Sequence, residues 1–121
     1  SLRSSRASAM LWLEERLRVS ASQLGASVSV SGVYPPWEYL EASKLRDLWC
    51  DCYYEAMGES PKVEAIHAGL ECGVFSSSLH GLDCISVGPE LKDIHTPNER
   101  LGISSVAKLW EILLKVLEKL N

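Results

Sequence analysis

Apolar side chains recur at helical spacing near the start of the chain. Over residues 6–18 they form one stripe, and charged residues occupy the other side of the predicted helix. The stripe consists of Ala9, Leu13 and Leu17, and Met10 lies beside it. A serine at position 4 or 5 stands where the cap of this helix is expected, since a hydroxyl there can accept a backbone N–H.

The pattern changes to a period of two after Gly25, which fits a helix-to-strand turn. Residues 26–31 alternate apolar and polar side chains and predict a half-buried strand. Residues 2–3 would be the end of an earlier strand. Strand, helix and strand in this order predict half of a split β-α-β sheet.

The sequence Tyr34-Pro35-Pro36-Trp37 interrupts this pattern. Adjacent prolines fit neither a helix interior nor a central strand. We therefore place the domain boundary here, with residues 1–33 in one domain and residues 34–121 in the next. A partner-binding polyproline segment is the alternative, which two prolines support only weakly.

The second part alternates helices and strands, which predicts an α/β layer. The expected order is a helix at 43–57, a strand at 62–68, a short helix at 70–76, a strand at 82–87 and a helix at 104–120. Two strands are too few for an independent sheet. The wide apolar stripe of the last helix therefore calls for a larger sheet than these residues supply.

Composition narrows the function classes. The chain has 121 residues, 46% of them hydrophobic, and a net charge of −4, which is typical of a globular domain. No clustered Lys and Arg indicate a nucleic-acid partner, no apolar run is long enough for a membrane span, and no signal pattern opens the sequence. Four cysteines at positions 50, 52, 72 and 84 lack zinc-site spacing and indicate reduced thiols in the cytoplasm.

His95 lies in a polar loop that contains proline, between the predicted strand at 82–87 and the last helix, and Asp93 and Glu99 flank it. An α/β enzyme often holds a functional imidazole in such a loop. His95 is a candidate metal ligand, with Asp93 or a backbone carbonyl orienting the ring. A histidine that only forms local hydrogen bonds is the alternative.

A glycine turn supplies the second candidate site. The strand at 62–68 ends at Gly69, and Leu70 and Glu71 open the short helix, where backbone N–H groups can bind a carboxylate and Glu71 can accept an ammonium group. Arg3 could clamp a substrate carboxylate. The alternatives are glycines that merely serve the turn and an exposed arginine near a chain end.

Three segments carry a resemblance to a known family: EAIHAGLECG at 64–73, ISVGP at 85–89 and HTPNERL at 95–101. In this order and spacing they resemble aminoacyl-histidine dipeptidases (Xaa-His dipeptidases, carnosinase-like enzymes), which are di-metal peptidases. The resemblance implies an α/β fold: half of a split β-α-β lid domain, followed by the C-terminal α/β part of a di-zinc peptidase catalytic domain.

The resemblance also implies roles for individual residues. His95 would be the last ligand of a site for two divalent metal ions, expected to be zinc, and Gly69, Leu70 and Glu71 would line the dipeptide pocket. Arg3 would hold the carboxylate of the dipeptide. The other ligands and the glutamate base of the family are absent from these residues, so we expect the C-terminal portion of the enzyme, inactive alone.

The intact enzyme is thus expected to be a cytoplasmic, homodimeric metallodipeptidase that hydrolyses Xaa-His dipeptides, with no nucleic-acid or membrane partner. Two alternatives stay open at this point. One is a non-catalytic lid-type dimerisation or interaction module, and the other is a divergent relative with another amide substrate.

Overall fold

A computed structural model describes residues 1–66 and 70–120. These residues form four α-helices and one short antiparallel hairpin: α1 Ala7–Gln23, α2 Lys44–Met57, α3 Glu71–Ser78, β1 Leu91–Lys92, β2 Arg100–Leu101 and α4 Ile103–Leu120.

The chain divides into two compact units. The first unit joins Ser1–Glu41 with Val63–Asp83, and the second joins Ala42–Lys62 with Cys84–Asn121. The first unit therefore contains α1 and α3, and the second contains α2, the hairpin and α4. The predicted division into residues 1–33 and 34–121 refers to a longer parent protein and stays a prediction.

Helix α2 begins and ends at local sequence signals. The hydroxyl of Ser43 accepts the backbone N–H of Arg46 at 3.0 Å, and this capping serine is itself buried. Gly58 ends the helix with φ 74°, and its N–H donates to the carbonyl of Tyr54 at 2.8 Å. The predicted helix at 43–57 is confirmed.

The core of the second unit lies between α2 and α4. Trp49 and Cys52 of α2 meet Ile112 and Val116 of α4, and all four side chains are buried. Partly buried apolar residues surround them, including Ile85. The apolar stripe predicted for the last helix is thus partly buried against α2, and this apolar contact is the main source of stability of this unit.

Helix α1 begins differently from its prediction. Its capping position is Arg6, which makes no side-chain capping bond; Ser4 accepts the N–H of Arg6 instead. The first N–H of the helix, on Ala7, donates to the carboxylate of Glu38 at 2.7 Å. The predicted serine cap is wrong because a carboxylate distant in sequence occupies the positive end of the helix.

The strands predicted at 26–31 and 82–87 are not strands in the structure, and the strand predicted at 62–68 lies partly outside the described residues. Residues 26–31, 82–87 and the described part of 62–68 form no strand ladder; the β-structure described is β1 with β2. A helix satisfies its backbone groups locally, but a strand needs a neighbouring chain segment.

Gly73 of α3 lies directly against the backbone of the proline segment. A Cβ on this residue would stand 2.6 Å from the carbonyl oxygen of Pro35 and 3.5 Å from Cβ of Trp37. The first unit therefore packs backbone against backbone at this point. No local sequence pattern indicates this contact, and the requirement for a glycine here becomes evident from the packing.

Candidate functional site

His95 lies at the tip of the hairpin in the second unit. Strand β1 pairs with β2 so that Leu91 faces Leu101 and Lys92 faces Arg100. The connecting loop carries His95 on an exposed surface. The sequence predicted a loop here but missed the two strands, since each has only two residues and no alternating pattern.

The backbone of this loop is unusual. Asp93 and His95 have φ angles of 54° and 65°, and they are the positive-φ residues other than glycine in the described chain. Side chains disfavour this region by roughly 1–2 kcal/mol, although Asp and His tolerate it better than most. Such a conformation persists where surrounding contacts impose it, and it is found preferentially at functional sites.

Contacts from the residues that follow His95 in the hairpin act on this conformation. The N–H of His95 donates to Oε2 of Glu99 at 3.1 Å. The guanidinium of Arg100 donates to Oδ2 of Asp93 at 2.6 Å. The hydroxyl of Thr96 also donates to the backbone carbonyl of Asp93 at 2.7 Å.

These contacts bear on the orientation of the His95 ring. The carboxylate of Asp93, one of the two orienting groups that the sequence suggested for the ring, is bound to Arg100. Residues 1–66 and 70–120 contain no cluster of three or more His, Cys, Asp or Glu side chains able to hold a metal ion. The described chain therefore offers His95 as a single imidazole ligand, whereas a catalytic zinc site needs about three protein ligands.

The predicted substrate-binding residues belong to the first unit. Leu70 is the half-buried residue before α3, and Glu71 is exposed in the first turn of that helix. Arg3 is exposed. Gly69 lies outside the described residues, as does His67. The assignment of Arg3, Leu70 and Glu71 to substrate stays a prediction.

The cysteines retain the character expected of reduced thiols. Positions 50, 52, 72 and 84 all lie in the described residues, and none forms a disulfide bond. Burial, and then the carboxylate of Asp47, raise the pKa of the Cys50 thiol above its usual value. A raised pKa disfavours the thiolate that binds metals.

Among the described helices, none is long and apolar enough to cross a membrane.

Comparison with known proteins identifies relatives of this chain. No protein-family model matches it. Cytosol non-specific dipeptidase of Escherichia coli (strain K12) is 33% identical over 96 residues, which are 79% of this chain. The crystal structure of aminoacylhistidine dipeptidase from Vibrio alginolyticus superposes with a TM-score of 0.82 at 34% identity over 96% of this chain.

The chain spans 20% of the length of the E. coli protein and 24% of the Vibrio chain. The fold of these residues is thus that of one part of an α/β peptidase, while the split-lid detail stays a prediction. Both the sequence and the structure of this chain are similar to one segment of dipeptidases of the aminoacyl-histidine type.

Proposed function

We propose that this chain is the C-terminal part of a metal-dependent dipeptidase that hydrolyses Xaa-His dipeptides, with His95 as one of its metal ligands. The observation that carries the proposal is the joint similarity to two dipeptidases, together with an exposed imidazole held at positive φ on a hairpin tip.

A larger domain around the second unit is supported by its surface. Helix α4 packs on α2 with one side, yet Trp110 and Leu117 on its other side are 60% and 50% exposed. Large apolar side chains that stay exposed on one helix face are available to pack against further residues. This exposure favours a sheet contributed by other parts of a longer polypeptide.

His95 fits a metal centre as one ligand only, so the other ligands would come from residues outside this chain. Two bound divalent ions, zinc in our proposal, would supply an activated water and polarise the peptide carbonyl. His95 would donate a ring nitrogen to one ion. Arg3 would hold the dipeptide carboxylate, Glu71 would accept its ammonium group, and Gly69 with Leu70 would line the pocket.

The intact enzyme is proposed to be a cytoplasmic homodimer. A broader dipeptide specificity is the second candidate, because the E. coli relative is described as non-specific. A non-catalytic interaction module is the third candidate, and the exposed Leu11 and Trp12 of α1, at 69% and 61%, favour it.

Hydrolysis of Ala-His with added zinc tests the proposal. We expect no turnover by the 121-residue chain and zinc-dependent turnover by the full polypeptide of its gene. In His95→Asn the asparagine tolerates positive φ, but the imidazole is removed. This change should lower the activity by more than about 100-fold, because loss of a residue that only contacts a metal ligand already lowers activity about 10- to 100-fold.

The matched control is His80→Asn, which removes an exposed histidine of the first unit and should leave turnover unchanged. Comparison of Ala-His with Ala-Ala separates the narrow specificity from the broad one. Full activity of His95→Asn, or turnover by the 121-residue chain alone, would contradict the proposal.

A further inference from the structure

The hairpin tip holds its candidate ligand through the backbone. Asp93 and His95, the residues on either side of Ile94, both have strained positive φ angles. Because the direction of a side chain follows from its backbone angles, any shift of His95 out of positive φ would redirect the imidazole. The loop conformation therefore decides where the ring points.

Two neighbouring side chains act on these two positions. Glu99 accepts the N–H of His95, and Arg100 pairs with the carboxylate of Asp93. Both come from the second arm of the hairpin, and Arg100 is anchored there because β2 pairs with β1. Glu99 thus contacts the backbone of His95, and Arg100 acts on Asp93 in addition to the hydroxyl of Thr96.

Neither contact contributes much to overall stability. The side chains of Arg100 and Asp93 are 70% and 46% exposed, and exposed ion pairs add little to the free energy of unfolding. Their removal is therefore expected to change the loop more than the free energy of unfolding.

We propose that Glu99 and Arg100 are positioning residues for His95, holding the loop in the conformation that presents the imidazole to a divalent metal ion. This inference rests on the proposed metal role of His95 and extends it to two residues that do not touch the metal. In metal sites generally, residues that bind a ligand without touching the metal orient that ligand.

The first test measures the loop in the 121-residue chain by NMR. At positive φ the amide and Hα protons of one residue are close, so His95 should show a strong intraresidue NOE and a slowly exchanging amide. Glu99→Ala and Arg100→Ala should weaken the NOE and speed amide exchange. Glu99→Gln, which keeps an accepting oxygen, and Arg100→Lys should largely restore both.

The matched control is Glu55→Gln, which removes an exposed ion pair with Lys119 elsewhere in the same unit. It should leave the His95 signals unchanged. If His95 keeps its NOE and its slow amide exchange in Glu99→Ala and Arg100→Ala, the positioning role is overturned.

The second test measures zinc affinity of the full polypeptide by chelator competition, without any assay of turnover. Glu99→Ala and Arg100→Ala should each weaken zinc binding about tenfold, and the Gln and Lys variants should bind as the wild type does. If His95→Asn itself leaves zinc affinity unchanged, the proposed metal role fails. If His95→Asn weakens binding and the two alanine variants do not, the positioning role alone fails.

Discussion

Helices α4 and α1 have similar lengths, 18 and 17 residues, but they use their apolar side chains differently. Helix α4 buries Ile112 and Val116 against α2, whereas α1 buries no residue fully. An apolar stripe becomes a core only where a second stripe of matching shape lies within reach. The second unit contains such a pair of stripes.

Helix α1 has no fully buried residue, and polar contacts tie it to the rest of the first unit instead. Glu38 binds its first N–H, and Arg18 links Glu14 to the carbonyl of Val28. Leu11 and Trp12 stay exposed. Hydrogen bonds to exposed groups contribute less than buried apolar area, so the two helices should respond very differently to the loss of one side chain.

The largest difference is expected from Ile112→Ala. Ile112 is 2% exposed, so its truncation should cost about 2–5 kcal/mol of unfolding free energy through lost burial and a cavity. The matched change in α1, Leu11→Ala, removes a side chain 69% exposed and should stay within about 0.5 kcal/mol. Urea unfolding, with amide exchange resolved over α4 and α1, measures both; equal effects would contradict the comparison.

A smaller effect is expected from Gly73→Ala in the first unit. The added Cβ would meet the carbonyl of Pro35 at 2.6 Å, and overpacking of this kind costs roughly 1–3 kcal/mol. In Gly88→Ala, a Cβ would meet nothing within 4 Å, which makes it the control. Urea unfolding and amide exchange of α3 report the result. Unchanged exchange in Gly73→Ala would show that this contact does not hold the first unit.

The smallest effect concerns pH and the ion pair between α2 and α4. The hydrogen bond from Lys119, at 2.7 Å, lowers the pKa of Glu55 below its ordinary value of 4.5, and the same bond raises the pKa of Lys119 above 10.5. A carboxyl whose pKa is lowered stabilises the fold at pH values above its ordinary pKa, and this contribution disappears as the pH falls through the lowered pKa. A lysine whose pKa is raised stabilises the fold at pH values below its ordinary pKa, and this contribution disappears as the pH rises through the raised pKa.

Glu55→Gln should therefore reduce stability slightly at neutral pH and remove this contribution from the acid limb below pH 4.5. Both side chains are exposed, so the change is small. Glu14→Gln in α1, which removes a pair within one helix, serves as the comparison. Thermal unfolding between pH 3 and 8 measures both, and an identical acid limb in wild type and Glu55→Gln would refute the role of the pair.

The helices could be predicted closely because their signals are local. Helix α2 and the last helix, α4, each begin and end within one residue of the predicted ranges 43–57 and 104–120. Helix α1 runs five residues beyond its predicted end at 18, to Gln23. Its start depends on Glu38, whose approach no local pattern indicates.

The candidate site divides in the same way. The sequence singled out His95 because of its residue type and loop, and the resemblance gave it a metal role. The positive φ of His95 and the contacts from Glu99 and Arg100 follow from the pairing of β1 with β2, which is too short to leave a pattern.

By itself, the sequence determined the helices of the second unit, the place of the histidine loop and the relationship to dipeptidases. Each of these depends on neighbours in the chain or on motif spacing. The tertiary structure decided which stripes became core, why residue 73 must be glycine and how His95 is held. Those depend on contacts between residues distant in sequence, which no local pattern encodes.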